Sequence, residues 1–199
     1  MVKIETERLI MRDNLPKDLY DLHSLMSDSS VNRYDSAFST LSLEDTKASL
    51  DISIHEAGMK NRKRYWFAIL DKKTGAYIGQ IGLTILTDQI KDGIGQLAYF
   101  IHKKFWGNGY TTEAAKRVIE FAFETVGIHK LITGCMKENV ASEKIMKKCG
   151  LIKEAEKIQH VWHEKKWKDR VEYRLLRDEW KSRIRVEGSR CAKECDLGF

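Results

Sequence analysis

Short runs of apolar and β-branched residues, bounded by turn-forming residues, recur along the chain. Runs of this length and composition are typical of β-strands. The segment Asp71–Gly75, between two of these runs, has the composition of a hairpin turn. We therefore expect strands over 7–12, 65–70, 76–83, 94–101, 129–135, 151–157, 161–162 and 167–176.

Other segments carry apolar residues at helical spacing, flanked by residues that favour helix ends. Pro16 lies at the start of the first of them, where its missing N–H is harmless. Asn139 is suited to capping a helix start, and Gly127 is suited to closing one. The predicted helices cover 17–26, a segment that begins at Ser42, 112–126 and 139–148.

Strands before and after two central helices predict a mixed α/β (α+β) domain. The chain has 199 residues, and no Gly/Ser/Pro-rich linker divides it. We expect one domain over residues 1–182. Residues 183–199 lack an apolar period and are predicted to form a loosely ordered tail.

Composition narrows the class of protein. Apolar residues make up 42% of the chain, which is enough to bury a core. The net charge of +6 is not accompanied by a recognised nucleic-acid-binding motif, so it does not predict nucleic-acid binding. Cys135 and Cys149 lie in apolar segments, as buried thiols do, whereas Cys191 and Cys195 lack the further ligands of a zinc site, so we expect no metal. Without a signal segment or a long apolar run, the sequence predicts a cytoplasmic protein that does not bind membranes.

The segment between the strand at 94–101 and the helix at 112–126 carries the most chemical information. Gly107 and Gly109 let the backbone bend tightly and come close to a ligand. The N–H groups that follow lie at a helix N-terminus, which attracts a pyrophosphate. By itself the pattern also fits an ordinary strand–helix turn. It is not a dinucleotide fingerprint, because Thr112 stands where a third glycine is required.

The run Phe105–Ala114 resembles the acetyl-CoA loop of the GNAT acetyltransferase superfamily, and it is most similar to the branch of ribosomal-protein N-terminal acetyltransferases. Further segments agree with that branch in order, so that the likeness covers about residues 7–180. The resemblance implies a mostly antiparallel central sheet flanked by helices, with two central strands splayed into a V. The agreeing segments are Glu7–Arg12, Asp18, Ile78–Gly82, Asn139–Ser142, 147–151 and Tyr173–Trp180.

The resemblance also implies acetyl-CoA as co-substrate. The pantetheine arm would lie in the V along the backbone of Tyr99, Phe100 and Ile101, as an added strand does. Lys104, in preference to Lys103, would add positive charge near the phosphates. Asn139 either bonds the pantetheine arm or caps a helix, and both roles can coexist. The loop residues implied in pyrophosphate binding are Trp106, Gly107, Asn108, Gly109, Tyr110 and Thr111.

Catalysis in this family requires an amine to attack the thioester directly. By resemblance Ser142 is the general acid for the departing thiolate, although the sequence alone fits a solvent-facing hydroxyl equally well. Gln96 stands where related enzymes often carry a glutamate base; it can hold a water but cannot take a proton itself. Met146 replaces a tyrosine that many relatives use as acid. His102 and Glu138 are the other titratable groups nearby, and both are more typical of structural or exposed positions.

The sequence therefore predicts an N-acetyltransferase that moves acetyl from acetyl-CoA to a primary amine, either a protein N-terminus or a small molecule. The alternative is a catalytically silent coenzyme-A-binding sensor, which the glutamine and methionine replacements leave open. Tyr34 and Phe38, between the first two helices, are candidate acceptor contacts. The resemblance allows a homodimer, and no segment of the sequence identifies one.

Overall fold

Eight strands form one open sheet in the computed structural model, which describes residues 1–35, 39 and 42–184. The strand order is β1-β2-β3-β4-β5-β6-β8-β7, and all neighbours pair antiparallel except β5 and β6, which are parallel. The predicted mixed, mostly antiparallel sheet is confirmed. The strands are β1 (Lys3–Glu5), β2 (Leu9–Asp13), β3 (Arg64–Asp71), β4 (Tyr77–Ile85), β5 (Ile94–Ile101), β6 (Lys130–Met136), β7 (Ile152–His163) and β8 (Lys166–Leu176).

Helices cover both faces of the sheet. Successive residues of a strand point to opposite faces, and Phe100 packs with Leu25 of the first helix, whereas its neighbour Ile101 belongs to the core under the third and fourth helices. The first two helices therefore lie on one face and the next two on the other. They are α1 (Leu19–Met26), α2 (Leu43–Ala57), α3 (Tyr110–Phe121), α4 (Val140–Lys148) and α5 (177–184).

Local sequence sets the helix ends. The Ser42 hydroxyl accepts a hydrogen bond from the Asp45 backbone N–H at 3.0 Å, which starts α2 where the sequence predicts. The predicted helix at 112–126 differs in two ways. It starts at Tyr110, directly after Gly109, and its last five residues form a π-helical turn, Ala122–Val126, that ends at Gly127 with a φ of +77°.

The two central strands separate after a short paired stretch. Strands β5 and β6 pair only at Ile94–Lys130, Gly95–Leu131 and Gln96–Ile132. Beyond these pairs, Leu97–Ile101 and Thr133–Met136 continue without pairing to each other. The predicted V between the central strands is confirmed, and we call it the slot.

The end of the domain differs from the expected closing strand over Tyr173–Trp180. Strand β8 ends at Leu176 and α5 follows at once. The Glu179 carboxylate accepts a hydrogen bond from the Leu176 backbone N–H at 3.0 Å, so the chain turns into a helix there. Arg183 on α5 donates to the Gly150 carbonyl. The tail expected from 183 stays a prediction, because 185–199 lie outside the described residues, with Cys191 and Cys195 among them.

Candidate functional site

The loop between β5 and α3 exposes backbone N–H groups at a helix N-terminus. Gly107 and Gly109 have φ values of +79° and +78°, a region that favours glycine. Within the described part of the chain, no backbone group accepts a hydrogen bond from the N–H groups of Gly107, Asn108 or Gly109. A Cβ added at Gly107 would meet no atom within 4 Å. The loop therefore has the free donors and the open approach that a pyrophosphate requires.

Side chains fix this loop to its surroundings and leave the N–H groups of residues 107–109 available. The Trp106 N–H, also predicted as a donor, instead bonds to the Lys103 carbonyl at 3.1 Å. The Trp106 indole donates to the Ile101 carbonyl at the end of β5 at 2.8 Å. The Asn108 carboxamide donates to the carbonyls of Phe105 and Trp106 at 3.2 and 3.1 Å. Tyr110, at the start of α3, reaches Asp71 with its hydroxyl at 3.4 Å.

A contact that the sequence reasoning missed joins the β1–β2 turn to α3. The Glu113 carboxylate accepts hydrogen bonds from the Thr6 hydroxyl at 2.6 Å, the Arg8 backbone N–H at 3.1 Å and Arg8 Nε at 2.7 Å. Burial would raise the pKa of Glu113, but the hydrogen bonds from Thr6 and Arg8 outweigh it and lower the pKa. Arg8 and Glu113 lie in segments that carry the family resemblance, yet no sequence spacing indicates a contact across about a hundred residues.

Inside the slot, two hydroxyl groups meet. Tyr99 on β5 and Ser142 in the first turn of α4 place their hydroxyl oxygens 3.0 Å apart. Ser142 is half-buried, and this contact replaces the solvent-facing hydroxyl that the sequence alone allowed. Burial raises the pKa of Tyr99, so the phenol keeps its proton at neutral pH and serves as a hydrogen-bond donor. Asn139 caps α4, since its carboxamide oxygen accepts from the Ser142 backbone N–H at 3.1 Å.

The two thiols near the slot are poor nucleophiles. Cys135 on β6 is buried and Cys149 is half-buried, and both are free. Burial raises the pKa of each thiol to about 11. Because the thiolate is the reactive form, neither is activated at neutral pH. No group of three or more His, Cys, Asp or Glu side chains in the described ranges is arranged to hold a metal ion.

Gln96 lies at the closed end of the slot, on the other face of the sheet from Tyr99. It pairs with Thr84 on one side and Ile132 on the other, and strand alternation places it with Phe100 on the α1–α2 face. The two residues predicted to act in catalysis, Gln96 and Ser142, are therefore not in contact; they border the slot from opposite faces.

The α1–α2 face also contains a cavity of about 320 Å³. Its charged lining side chains form an ion pair, with Glu56 Oε1 3.1 Å from Arg64 Nε. One part of its wall is a neutral pair of amides, in which Gln80 donates to Asn14 at 2.7 Å. The remaining lining residues are Leu22, Met26, Ser49, Ile52, Ser53 and Trp66.

The other residues singled out from the sequence fall into place around these features. His102 packs against the Tyr77 ring at 6.1 Å, and burial and Lys104 lower its pKa. Lys104 is exposed in a short turn just before the loop. Glu138 pairs with Lys168 at 2.7 Å at the surface, so its carboxylate is already engaged in an ion pair. Tyr34 lies between α1 and α2, and Phe38 lies outside the described residues.

Known proteins share this chain's sequence pattern and fold. Residues 8–152 match the acetyltransferase (GNAT) domain. The uncharacterized N-acetyltransferase YnaD of Bacillus subtilis (strain 168) is 26% identical over 179 residues, which cover 89% of this chain and 98% of the relative.

No helix in the described part of the chain is long and apolar enough to cross a membrane.

Solved structures agree in fold. The spermidine N-acetyltransferase of Vibrio cholerae, in complex with CoA and spermine, matches with a TM-score of 0.77 at 16% identity, covering 88% of this chain and 99% of that one. The ribosomal-protein-S5-alanine acetyltransferase of Vibrio fischeri matches with a TM-score of 0.71 at 20% identity, covering 90% and 99%. With the domain match and the N-acetyltransferase relative, the slot and its loop identify the chain as a member of the GNAT family and an acetyl-CoA-dependent acetyltransferase.

Proposed function

We propose that this enzyme holds acetyl-CoA in the slot and transfers its acetyl group directly to a primary amine that arrives on the α1–α2 face. The observation that carries the proposal is the separation of β5 from β6 beside the loop at the start of α3. A thioester lying between separated strands is accessible from both faces of the sheet. The acceptor and the acid can then act from opposite sides.

The described contacts support particular roles in holding the co-substrate. The open edge of β5 at Tyr99 and Ile101 pairs with the pantetheine arm, whereas the backbone groups of Phe100, between them, face β4. The N–H groups over 107–111 bind the pyrophosphate, and Lys104 adds positive charge. The Trp106 N–H is not among them, because it already donates to the Lys103 carbonyl. The Ile101 carbonyl already accepts from Trp106, so pairing there uses other groups of the strand. The capping role of Asn139 engages only its oxygen, which leaves its NH2 group to donate to the pantetheine arm.

The Ser142–Tyr99 pair supports a route for the proton that the leaving group needs. As the amine nitrogen bonds to the carbonyl carbon, the carbon–sulfur bond breaks and the sulfur leaves as a thiolate. Ser142 donates its proton to that sulfur and takes one from Tyr99 across their 3.0 Å contact. A solvent proton replaces the one that Tyr99 gives up in the same step, because its raised pKa disfavours a free phenolate. In this role Tyr99 substitutes for the tyrosine that Met146 replaces.

The proton that leaves the amine must go to the other face. Gln96 has no basic group, so we assign it the role of holding a water that accepts this proton and passes it to solvent. The neighbouring side chains of the α1–α2 face are also uncharged amides, Asn14 and Gln80, which bond each other. Deprotonation by water rather than by a carboxylate predicts a rate that rises with pH as more of the acceptor becomes free amine.

The cavity on the α1–α2 face supports an acceptor with a single amine. A polyamine carries several ammonium groups, and each one that is removed from water requires a negative partner. The described lining offers one carboxylate, Glu56, which Arg64 already neutralises. Neutral polar groups and the Trp66 ring suit a monoamine with an apolar or amide part, such as a short peptide N-terminus.

The test is release of free coenzyme A from acetyl-CoA across a panel of amines matched in size. We expect turnover with N-terminal dipeptides or aryl monoamines at least tenfold above that with spermidine. Turnover highest with spermidine would contradict the acceptor class and leave the transferase intact. Coenzyme A binding by calorimetry without thiol release from any acceptor would favour the sensor hypothesis instead.

A further inference from the structure

The guanidinium of Arg8 lies against the candidate pyrophosphate loop without being part of it. Besides its bond to Glu113 through Nε, Arg8 contacts the same carboxylate with Nη2 at 2.6 Å. Its third nitrogen, Nη1, donates to the Asn108 carbonyl at 3.1 Å. A Cβ built on Gly109 would lie 3.6 Å from Arg8 Nη2, so the cation is in contact range of the loop itself. One side chain thus bridges the loop and the first turn of α3.

We propose that Arg8 is a positioning residue for coenzyme A: it fixes the Asn108–Gly109 peptide so that the Gly109 N–H faces the pyrophosphate. In a trans peptide the C=O and the N–H point in opposite directions. Because Arg8 holds the Asn108 carbonyl on its own side, the Gly109 N–H is turned away from Arg8, and no described backbone group accepts it. The inference rests on the proposed role of the loop.

Glu113 explains why the bridge needs a cation. A carboxylate in the first helical turn stabilises the positive end of α3, but it repels a bound pyrophosphate. Arg8 neutralises this charge at 2.6–2.7 Å, and Thr6 adds a third donor from the same turn. The helix keeps its stabilising acid while the anion site keeps a net positive environment. Because a lysine side chain has a single nitrogen, it cannot bond to Glu113 and to the Asn108 carbonyl in this geometry at the same time.

The experiment compares coenzyme A with a shorter thioester that lacks the nucleotide and the pyrophosphate. We measure the dissociation constant of coenzyme A by calorimetry and the KM of S-acetylpantetheine, which lacks the pyrophosphate, for Arg8→Gln, Arg8→Lys and Arg117→Gln. Arg117 lies on the same helix and pairs with Glu120 at 3.2 Å, so its variant removes the same charge two turns away. We expect Arg8→Gln to weaken coenzyme A binding about tenfold, Arg8→Lys to recover part of it, and Arg117→Gln to leave it within twofold.

The S-acetylpantetheine measurement separates positioning from damage to the fold. We expect its KM and kcat to be unchanged in both Arg8 variants. An equal loss with both co-substrates would show a general structural role and overturn the proposal, as would unchanged coenzyme A binding in Arg8→Gln. If Gly107→Ala weakens binding while Arg8→Gln does not, the loop stands and only the role of Arg8 fails. If neither variant has an effect, the loop assignment fails as well.

Discussion

Alanine in place of Gly107 tests the loop through backbone conformation alone. At a φ of +79° a residue with a Cβ costs roughly 1–2 kcal/mol relative to glycine. A clash adds nothing in the free protein, because no atom lies within 4 Å of the added methyl. The effect of the substitution is therefore the cost of holding this conformation.

This cost lowers either the melting temperature or the affinity for coenzyme A, depending on whether the conformation of the residue is already held in the free protein. Gly107 is exposed and its N–H has no backbone partner among the residues described, so we expect the free loop to relax and the cost to arise on binding. One to two kcal/mol then weakens coenzyme A binding by about 5- to 30-fold, with little change in melting temperature.

Gly127 provides the matched control at the other end of the same helical segment. Its φ is +77°, and an added Cβ would make only an ordinary contact, 3.7 Å from Lys91. Its N–H bonds to the Ala122 carbonyl, and its own carbonyl accepts from Asp92 and Arg177, so it cannot relax. Gly127→Ala should lower the melting temperature by about 2–8 °C and leave the dissociation constant unchanged.

Calorimetry with coenzyme A and thermal unfolding of both variants give the answer. If Gly107→Ala binds coenzyme A as tightly as the unsubstituted enzyme, the loop is not the pyrophosphate site. If Gly127→Ala weakens binding as much as Gly107→Ala does, the effect is not local and the reasoning from relaxation is wrong.

Two further predictions concern the slot. Ser142→Ala and Tyr99→Phe should each lower kcat at least tenfold without changing coenzyme A affinity. The double variant should be no slower than the slower single variant, because the two hydroxyls act as a unit. Full activity of either single variant in steady-state kinetics would remove that residue from the proton route. Burial raises the pKa of Cys135 to about 11, so about one thiol in a thousand is ionised at pH 8 and alkylation should be slow there. The alkylation rate should rise about tenfold per pH unit up to pH 11. Peptide mapping that finds Cys135 labelled as fast as free cysteine at pH 8 would contradict this.

The sequence was most informative where periodicity and end signals agree. Strand β5 was predicted with its observed bounds, and α4 follows Asn139 and ends at Lys148 as expected. The turn before α3 was also indicated by the sequence, because Gly107 and Gly109 permit the left-handed backbone that other residues rarely adopt. The V came from the family resemblance, since no periodicity indicates where two strands stop pairing.

Features that depend on tertiary contacts were not predictable from local sequence. Strand β7 is one strand of twelve residues, although the apolar pattern indicated two pieces. Its side chains are mostly exposed, so hydrogen bonding to β8 holds it in place, even though the register of that pairing shifts after Lys157. The Tyr99–Ser142 pair joins residues 43 apart, and a tyrosine in a central strand is most simply interpreted as core packing. Only the fold shows that its hydroxyl faces the slot.

The slot divides the sheet mechanically. Strands β1–β5 and strands β6, β8 and β7 are two half-sheets that share only three residue pairs within the sheet. A ligand that bonds to both inner edges acts as a brace between these halves, and its binding free energy adds to the resistance of the enzyme to unfolding. At a concentration one hundred times the dissociation constant, the gain is about 2.7 kcal/mol. Resistance to proteolysis of the unfolded chain is then expected to rise with the concentration of acetyl-CoA.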